Sequence, residues 1–132
     1  MSASVSPVWM LSSALGATVV TLDAKEHDAL YAEVSHWPHA LGFALCAAIA
    51  SGERAEAALR LAGAGLRDTT RIAASPAALW ADIVLDNREA VLECARAFER
   101  EARAVTEAIR EGDRAALVKC FELAGNWRRR MP

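Results

Sequence analysis

The sequence predicts an all-α fold, a bundle of packed helices preceded by a single β-strand. Alanine dominates the hydrophobic residues, which make up 54% of the 132-residue chain, and alanine has the highest helix propensity. β-Branched residues are few and cluster in one short stretch, as expected when helices rather than a sheet form the core. A chain of this length forms one domain, or one domain plus the remnant of another.

Charge, cysteine content and hydropathy narrow the classes of function. Interleaved acidic and basic residues give a net charge of −2 and a pI near 5.9, so nothing favours nucleic acid as a partner. Cys46, Cys94 and Cys120 form no C-x-x-C motif, and we expect small core residues in a reducing compartment. The longest apolar run, residues 40–50, is too short to span a bilayer. With no secretion signal apparent, we expect a cytoplasmic protein without membrane contact.

Residues 1–23 are predicted to be a remnant of a preceding domain. A short helix is expected over Ser6–Gly16, with Ser6 as its N-cap and Gly16 as its terminator. The β-branched cluster Ala17–Asp23 predicts the strand. Because a lone strand has no partner within the chain, its presence indicates a sheet that is missing or supplied in trans.

Residues 24–132 are predicted to form the helical domain. The predicted helices are Ala24–Ala50 with a break near Trp37-Pro38, Glu53–Leu61, and a helix opened by Ser75-Pro76 and ended by Asp86-Asn87. A long helix follows to about Arg110, and Arg114–Trp127 forms the last one after Gly112-Asp113. The long helix carries two interleaved heptad series, Val91, Phe98, Val105 and Ala95, Ala102, Ile109. Such a seam packs inside a domain or forms a dimer contact.

The first group of unusual residues contains His36 and His39, which share a face of a helix because they are three apart. Three interpretations remain open at this point. The pair lines a substrate pocket, or caps a helix and packs beside Trp37, or ligates a metal. Metal is the weakest of these because no third ligand stands nearby in the sequence.

The second group, Arg67 to Arg71, is predicted as a polar loop. Its two guanidiniums beside threonine hydroxyls would suit a carboxylate or a phosphate, although an ion pair between one of these arginines and Asp68 is the simpler alternative. Arg67 is expected to be structural and Arg71 to project into a pocket, with Trp80 as an apolar wall or a core residue. The preceding Gly63-x-Gly65 lacks the third glycine and the strand of a dinucleotide loop. The residues alone predict a site for a small anionic molecule and name no reaction.

At these same positions the sequence resembles the C-terminal helical domain of prephenate and arogenate dehydrogenases of tyrosine biosynthesis. The order and spacing of the matching residues agree, with Trp37 and Leu66 as mild departures. The matching stretches are Glu26-His27-Asp28, Ser35-His36-Trp37-Pro38-His39, Arg67-Asp68-Thr69-Thr70-Arg71-Ile72-Ala73-x-Ser75, Trp80-x-Asp82-Ile83 and Asn87.

The resemblance implies an all-α domain like that of 6-phosphogluconate dehydrogenase, which supplies a homodimer interface and much of the pocket for prephenate or arogenate. It implies that Arg71 pairs with a substrate carboxylate, that His36 and His39 line the pocket, that His27 lies near an interdomain cleft and that Trp80 supports Arg71. It places Arg67, Asp68 and Asp82 in support of the loop or the dimer interface.

The family's reaction is an oxidative decarboxylation of prephenate to 4-hydroxyphenylpyruvate that uses NAD or NADP. No G-x-G-x-x-G follows a strand in this sequence, and the family's catalytic histidine belongs to the nucleotide-binding part. We therefore expect no catalytic, cofactor-binding or metal-ligating residues here, and a truncated dehydrogenase that needs a nucleotide-binding domain in cis or in trans. The alternatives are a non-catalytic helical module for dimerisation or ligand sensing and, more weakly, an all-helical isomerase of the chorismate mutase kind.

Overall fold

The computed structural model describes residue 12 and residues 14–132, and its regular structure is helical. The predicted helix Ser6–Gly16 lies largely outside the described residues. The elements in chain order are α1 (Ala24–Tyr31), a π-helical turn (Ala32–His36), α2 (Trp37–Ala50), α3 (Ala55–Leu61), α4 (Ala64–Thr70), a 3₁₀ turn (Arg71–Ala74), α5 (Ala77–Asp86), α6 (Arg88–Glu111) and α7 (Arg114–Arg128). The all-α prediction is confirmed.

The strand predicted at Ala17–Asp23 is not present. This segment has no regular structure, and no strand occurs anywhere in the described part of the chain. A strand needs a neighbour to pair with its backbone N–H and C=O groups, and the bundle offers none. Asp23 instead caps α1, since its carboxylate accepts the Glu26 N–H at 2.8 Å. The assignment of residues 1–23 to another domain stays a prediction.

The break predicted near Trp37-Pro38 is a change of hydrogen-bond spacing within one continuous helical path. The Trp37 N–H bonds to the Ala32 carbonyl five residues earlier, which is the π-helical pattern. Pro38 follows in the first turn of α2, where a missing N–H is tolerated. The chain therefore stays right-handed helical from Ala24 to Ala50.

The polar loop predicted at Arg67–Arg71 is also helical. Gly63, in an extended conformation, precedes α4. The 3₁₀ turn follows directly after the last residue of α4. The hydroxyls of Thr69 and Thr70 donate to the carbonyls of Gly65 and Leu66 at 2.8 and 2.6 Å. These bonds within the helix satisfy side chains that otherwise favour turns, so the polar composition does not prevent helix formation here.

Helices α6 and α7 form a hairpin, and its predicted turn is confirmed. Gly112 ends α6 with φ of 66°, a left-handed conformation that favours glycine. The Asp113 side chain caps α7 by accepting the Ala116 N–H at 2.9 Å. With 24 residues, α6 is roughly 36 Å long. Among the described elements, α7 packs only against α6, whereas α6 also contacts α1, the π-helical turn, α2 and α5.

The core is small. Among the described residues, the buried apolar ones are Ala32, Val91, Ala95 and Ala108. The heptad seam of α6 is thus buried at Val91 and Ala95, while its members Phe98 and Ile109 remain 40% and 63% exposed. All three cysteines are half-buried free thiols. Across residues 12 and 14–132, no helix has both the length and the apolarity that crossing a membrane requires.

Candidate functional site

Asn87 joins His36 to the first helix. It ends α5, and its amide nitrogen lies 2.7 Å from the Asp28 carbonyl oxygen and 3.1 Å from Nδ1 of His36. One side chain therefore connects α1, the end of the π-helical turn and the α5–α6 junction. This contact fixes the position of the His36 ring against three elements.

Burial lowers the pKa of His36 from its usual value near 6.5. The nearby carboxylate of Asp28 opposes this effect, and the neighbouring His27 and His39 add to it. Because desolvation penalises the charged form, the ring is predominantly neutral at physiological pH. His36 thus presents a neutral imidazole to this face of the domain.

His39 lies in the first turn of α2, with its ring held on two sides. Its Nδ1 lies 2.9 Å from the Ser35 carbonyl oxygen. Its ring stacks on Trp80 of α5, with the centroids 3.4 Å apart and the planes 11° from parallel. Both side chains are half-buried. Trp80 therefore supports a histidine, a contact that the sequence did not predict.

The 3₁₀ turn that carries Arg71 packs on the same helix. A Cβ built on Gly42, which is buried in α2 three residues after His39, would lie 3.2 Å from Cγ1 of Ile72. This close approach places the residue after Arg71 against the α2 backbone. The Arg71 side chain is exposed, and its guanidinium makes no hydrogen bond or ion pair with the described residues. Its guanidinium is thus available to a ligand.

A row of rings extends from His36 to the exposed His27. The ring of His27 stacks on Tyr31 with centroids 4.3 Å apart, and Tyr31 lies 6.3 Å from His36. The Nδ1 atom of His27 also lies 3.2 Å from an Asp28 carboxylate oxygen. His27 therefore lies at the outer end of the row, two rings away from His36.

The remaining predicted residues lie elsewhere. Arg67 borders a mostly apolar cavity of about 550 Å³ between α2, α3 and α4. Asp68 and Asp82 are exposed on α4 and α5. In the described part of the chain, no ion pair joins Asp68 to Arg67 or to Arg71, so the simpler interpretation of this segment as an arginine–aspartate ion pair is wrong. The structure stacks His39 on Trp80, places His36 one helical turn before His39, and packs the residue after Arg71 on α2.

Sequence reasoning missed the partners that hold the histidines. Asn87 is expected from the sequence only to separate two helices and to match the family pattern, although it is the direct partner of His36. Tyr31 is four residues after His27, a spacing that predicts contact on a helix, so this pair could have been found. The Ser35 carbonyl and the Gly42–Ile72 contact carry no sequence signal of their own.

Neither a metal-ligand cluster nor a dinucleotide loop is found among the described residues. Within the described residues, no three histidine, cysteine, aspartate or glutamate side chains are grouped closely enough to hold a metal ion. Gly63 and Gly65 lie at the start of α4 after another helix, whereas a dinucleotide loop follows a strand. The Gly63–Gly65 segment therefore is not a dinucleotide loop.

Comparison with known proteins decides the family. Residues 23–123 match the family described as "Prephenate dehydrogenase, dimerization domain". The chain belongs to this family. The prephenate dehydrogenase of Lactococcus lactis is 34% identical over 113 residues, which are 85% of this chain and 32% of that protein. The chain therefore spans about a third of the length of this relative.

Two solved structures agree with the fold. The prephenate dehydrogenase of Aquifex aeolicus, in complex with hydroxyphenyl propionate and NAD⁺, is 30% identical with a TM-score of 0.77, covering 92% of this chain and 43% of that one. The Synechocystis arogenate dehydrogenase superposes with a TM-score of 0.82 at 22% identity, over 92% of this chain and 45% of that one. The bundle is thus the prephenate dehydrogenase dimerization-domain fold.

Proposed function

We propose that this chain is the substrate-binding and dimerisation part of a cytoplasmic prephenate or arogenate dehydrogenase. The observation that carries the proposal is that the family match covers residues 23–123, nearly the whole helical domain. The matched region contains His36 and the stacked pair of His39 and Trp80. In this proposal residues 1–23 are the end of a nucleotide-binding domain, and residues 24–132 are the helical domain.

The proposed ligand contacts follow from the chemistry of the exposed groups. The Arg71 guanidinium has no partner among the described residues, and a guanidinium pairs with a carboxylate through two parallel hydrogen bonds. His36 and His39 offer their Nε2 atoms, which likewise have no partner in the described part of the chain, and Trp80 keeps the His39 ring in place. His27 lies at the rim of the proposed pocket. These residues bind and orient the substrate, and none of them is proposed as the catalytic group.

The oxidation requires a partner domain in this proposal. NAD or NADP accepts the hydride when a nucleotide-binding domain, joined to this chain or added in trans, positions it beside the substrate. We propose that this chain alone binds substrate without turnover. Prephenate and arogenate both remain proposed substrates.

A homodimer is the proposed assembly, and the exposed apolar surface supports it. On α7 the side chains of Phe121, Leu123 and Trp127 are 58%, 73% and 61% exposed, although α7 packs only on α6 among the described elements. Leu123 and Trp127 are four residues apart and share a face of α7, and exposed apolar surface of this kind marks protein–protein contacts. Sedimentation equilibrium is expected to give a dimer, and Trp127→Glu to shift it toward monomer. A monomeric wild-type chain would contradict this part of the proposal.

The central experiment is a calorimetric titration of this chain with prephenate and with hydroxyphenyl propionate. Arg71→Ala is expected to weaken binding by about 10- to 100-fold, the usual effect of losing a hydrogen bond to a charged group. Arg67→Ala is the matched control, because Arg67 borders the separate cavity between α2, α3 and α4. Its affinity should stay within about threefold of wild type.

The outcomes separate the candidate functions. Binding that Arg71→Ala weakens to that extent, with NAD⁺ reduction only after a nucleotide-binding domain is added, supports the proposal. Binding without turnover under either condition indicates a ligand-sensing module instead. Equal losses in both arginine variants would refute the assigned role of Arg71. Conversion of prephenate without any nucleotide would indicate an isomerase.

A further inference from the structure

The two histidines of the site have different hydrogen-bond partners at the same ring nitrogen. Nδ1 of His39 lies 2.9 Å from the Ser35 carbonyl oxygen. A carbonyl oxygen only accepts, so Nδ1 of His39 must carry the hydrogen. In the neutral ring the hydrogen is then absent from Nε2, and this atom is an acceptor.

His36 has the opposite arrangement, because Asn87 is oriented by a second contact. The Asn87 atom that lies 2.7 Å from the Asp28 carbonyl oxygen must be the amide nitrogen, since two carbonyl oxygens cannot share a hydrogen bond. That nitrogen has a second hydrogen, which points to the remaining neighbour, Nδ1 of His36 at 3.1 Å. Nδ1 of His36 therefore accepts, and the neutral ring carries its hydrogen on Nε2.

We propose that Asn87 is a positioning residue that holds His36 in the Nε2–H tautomer, so that the site presents one imidazole donor beside one imidazole acceptor. His36 then donates from Nε2, and His39 accepts at Nε2. The complementary ligand is a carboxylate that also carries a hydroxyl group, with an oxygen acceptor for His36 and a hydroxyl donor for His39. The ligand class rests on the proposed function, whereas the tautomer does not.

The charges around His36 agree with this arrangement. Asp28 faces it from α1 and favours the protonated ring, while His27 and His39 disfavour it, and burial outweighs the carboxylate. A proton on Nδ1 would also point at the amide hydrogen of Asn87. Both effects favour the neutral ring with its lone pair on Nδ1.

The tautomers can be measured without any ligand, by ¹⁵N NMR of the imidazole rings at about pH 8.5, well above the ordinary histidine pKa. We expect a lone pair on Nδ1 of His36 and on Nε2 of His39. In Asn87→Asp, which has nearly the same shape but presents only acceptors, His36 should move its hydrogen to Nδ1 and its pKa should rise. Asn87→Ala is the second variant, and it should yield a mixture of both tautomers. The His39 signals should stay unchanged in each variant.

A protonated Nδ1 on His36 in the wild-type chain, or the same tautomer in all three proteins, would overturn the inference whatever the chain binds.

The ligand class has its own test at the same pH. Asn87→Asp should bind hydroxyphenyl propionate at least about tenfold more weakly, because the donor of His36 becomes an acceptor. Phenyl propionate, which lacks the hydroxyl, should bind the wild-type chain more weakly than hydroxyphenyl propionate. Equal affinities for the two compounds would refute the role of His39 as an acceptor, and absence of any binding would refute the proposed function while leaving the tautomer result intact.

Discussion

The stack of His39 on Trp80 predicts a measurable coupling between the two side chains. Their centroids are 3.4 Å apart and the rings are within 11° of parallel, so the two faces are in van der Waals contact. Removing a fully buried tryptophan costs about 3–5 kcal/mol, and because Trp80 is only half-buried we expect about 1.5–3 kcal/mol from Trp80→Ala. A favourable ring pair adds about 0.5–1.5 kcal/mol beyond buried area, and this part should appear as coupling.

A double-mutant cycle with His39→Ala isolates that coupling. Urea unfolding should be followed by far-UV circular dichroism, because Trp80→Ala changes the fluorescence, and at one fixed protein concentration, because dimerisation would otherwise shift the midpoint. The control cycle pairs Trp80→Ala with His27→Ala, whose ring stacks on Tyr31 instead. We expect no coupling beyond error there. A His39–Trp80 coupling below about 0.3 kcal/mol would refute the argument that this stack holds the His39 ring.

Two further predictions concern packing and pH. Gly42→Ala should destabilise the chain by about 1 kcal/mol despite the better helix propensity of alanine, because the added Cβ would lie 3.2 Å from Cγ1 of Ile72. In an Ile72→Ala background the same change should stabilise the chain. Stabilisation in both backgrounds would contradict the tight packing. Folding lowers the pKa of His36, so at acidic pH the unfolded chain binds more protons at this residue than the folded chain does. The contribution of His36 to the free energy of unfolding is therefore complete above about pH 6.5 and falls as the pH drops toward the pKa of the folded state. His36→Asn should lose this part of the pH dependence in urea unfolding, and an unchanged slope would show that another group is responsible.

The sequence was sufficient to predict most of the helices because their ends carry local signals. Gly112 and Asp113 mark the hairpin turn through a left-handed glycine and a side-chain cap, and both functions depend on one or two neighbouring residues. The strand at Ala17–Asp23 failed for the opposite reason. β-Propensity describes how well a residue fits a sheet, and a sheet requires a second strand that local sequence cannot supply.

The site was predictable in its residue types and not in its contacts. His36, His39 and Trp80 stand out by composition, and the family resemblance grouped them. The loop predicted for Arg67–Arg71 was wrong because the Thr69 and Thr70 hydroxyls bond back to the helix, a choice between two local partners that packing decides. The contact of Asn87 with His36 spans 51 residues, and no periodic pattern reports such a pair.

The two tautomers differ in what maintains them. His39 bonds directly to the backbone carbonyl of Ser35. A side-chain substitution at position 35 leaves that carbonyl in place as long as the backbone stays helical. His36 bonds to the Asp28 carbonyl only through the Asn87 amide, and that carbonyl has two lone pairs, so it accepts the Ala32 N–H as well. The acceptor at His39 is therefore a property of the helix, whereas the donor at His36 depends on one side chain. Position 87 is where a single substitution would exchange a donor for an acceptor on this face without altering the helix that carries it.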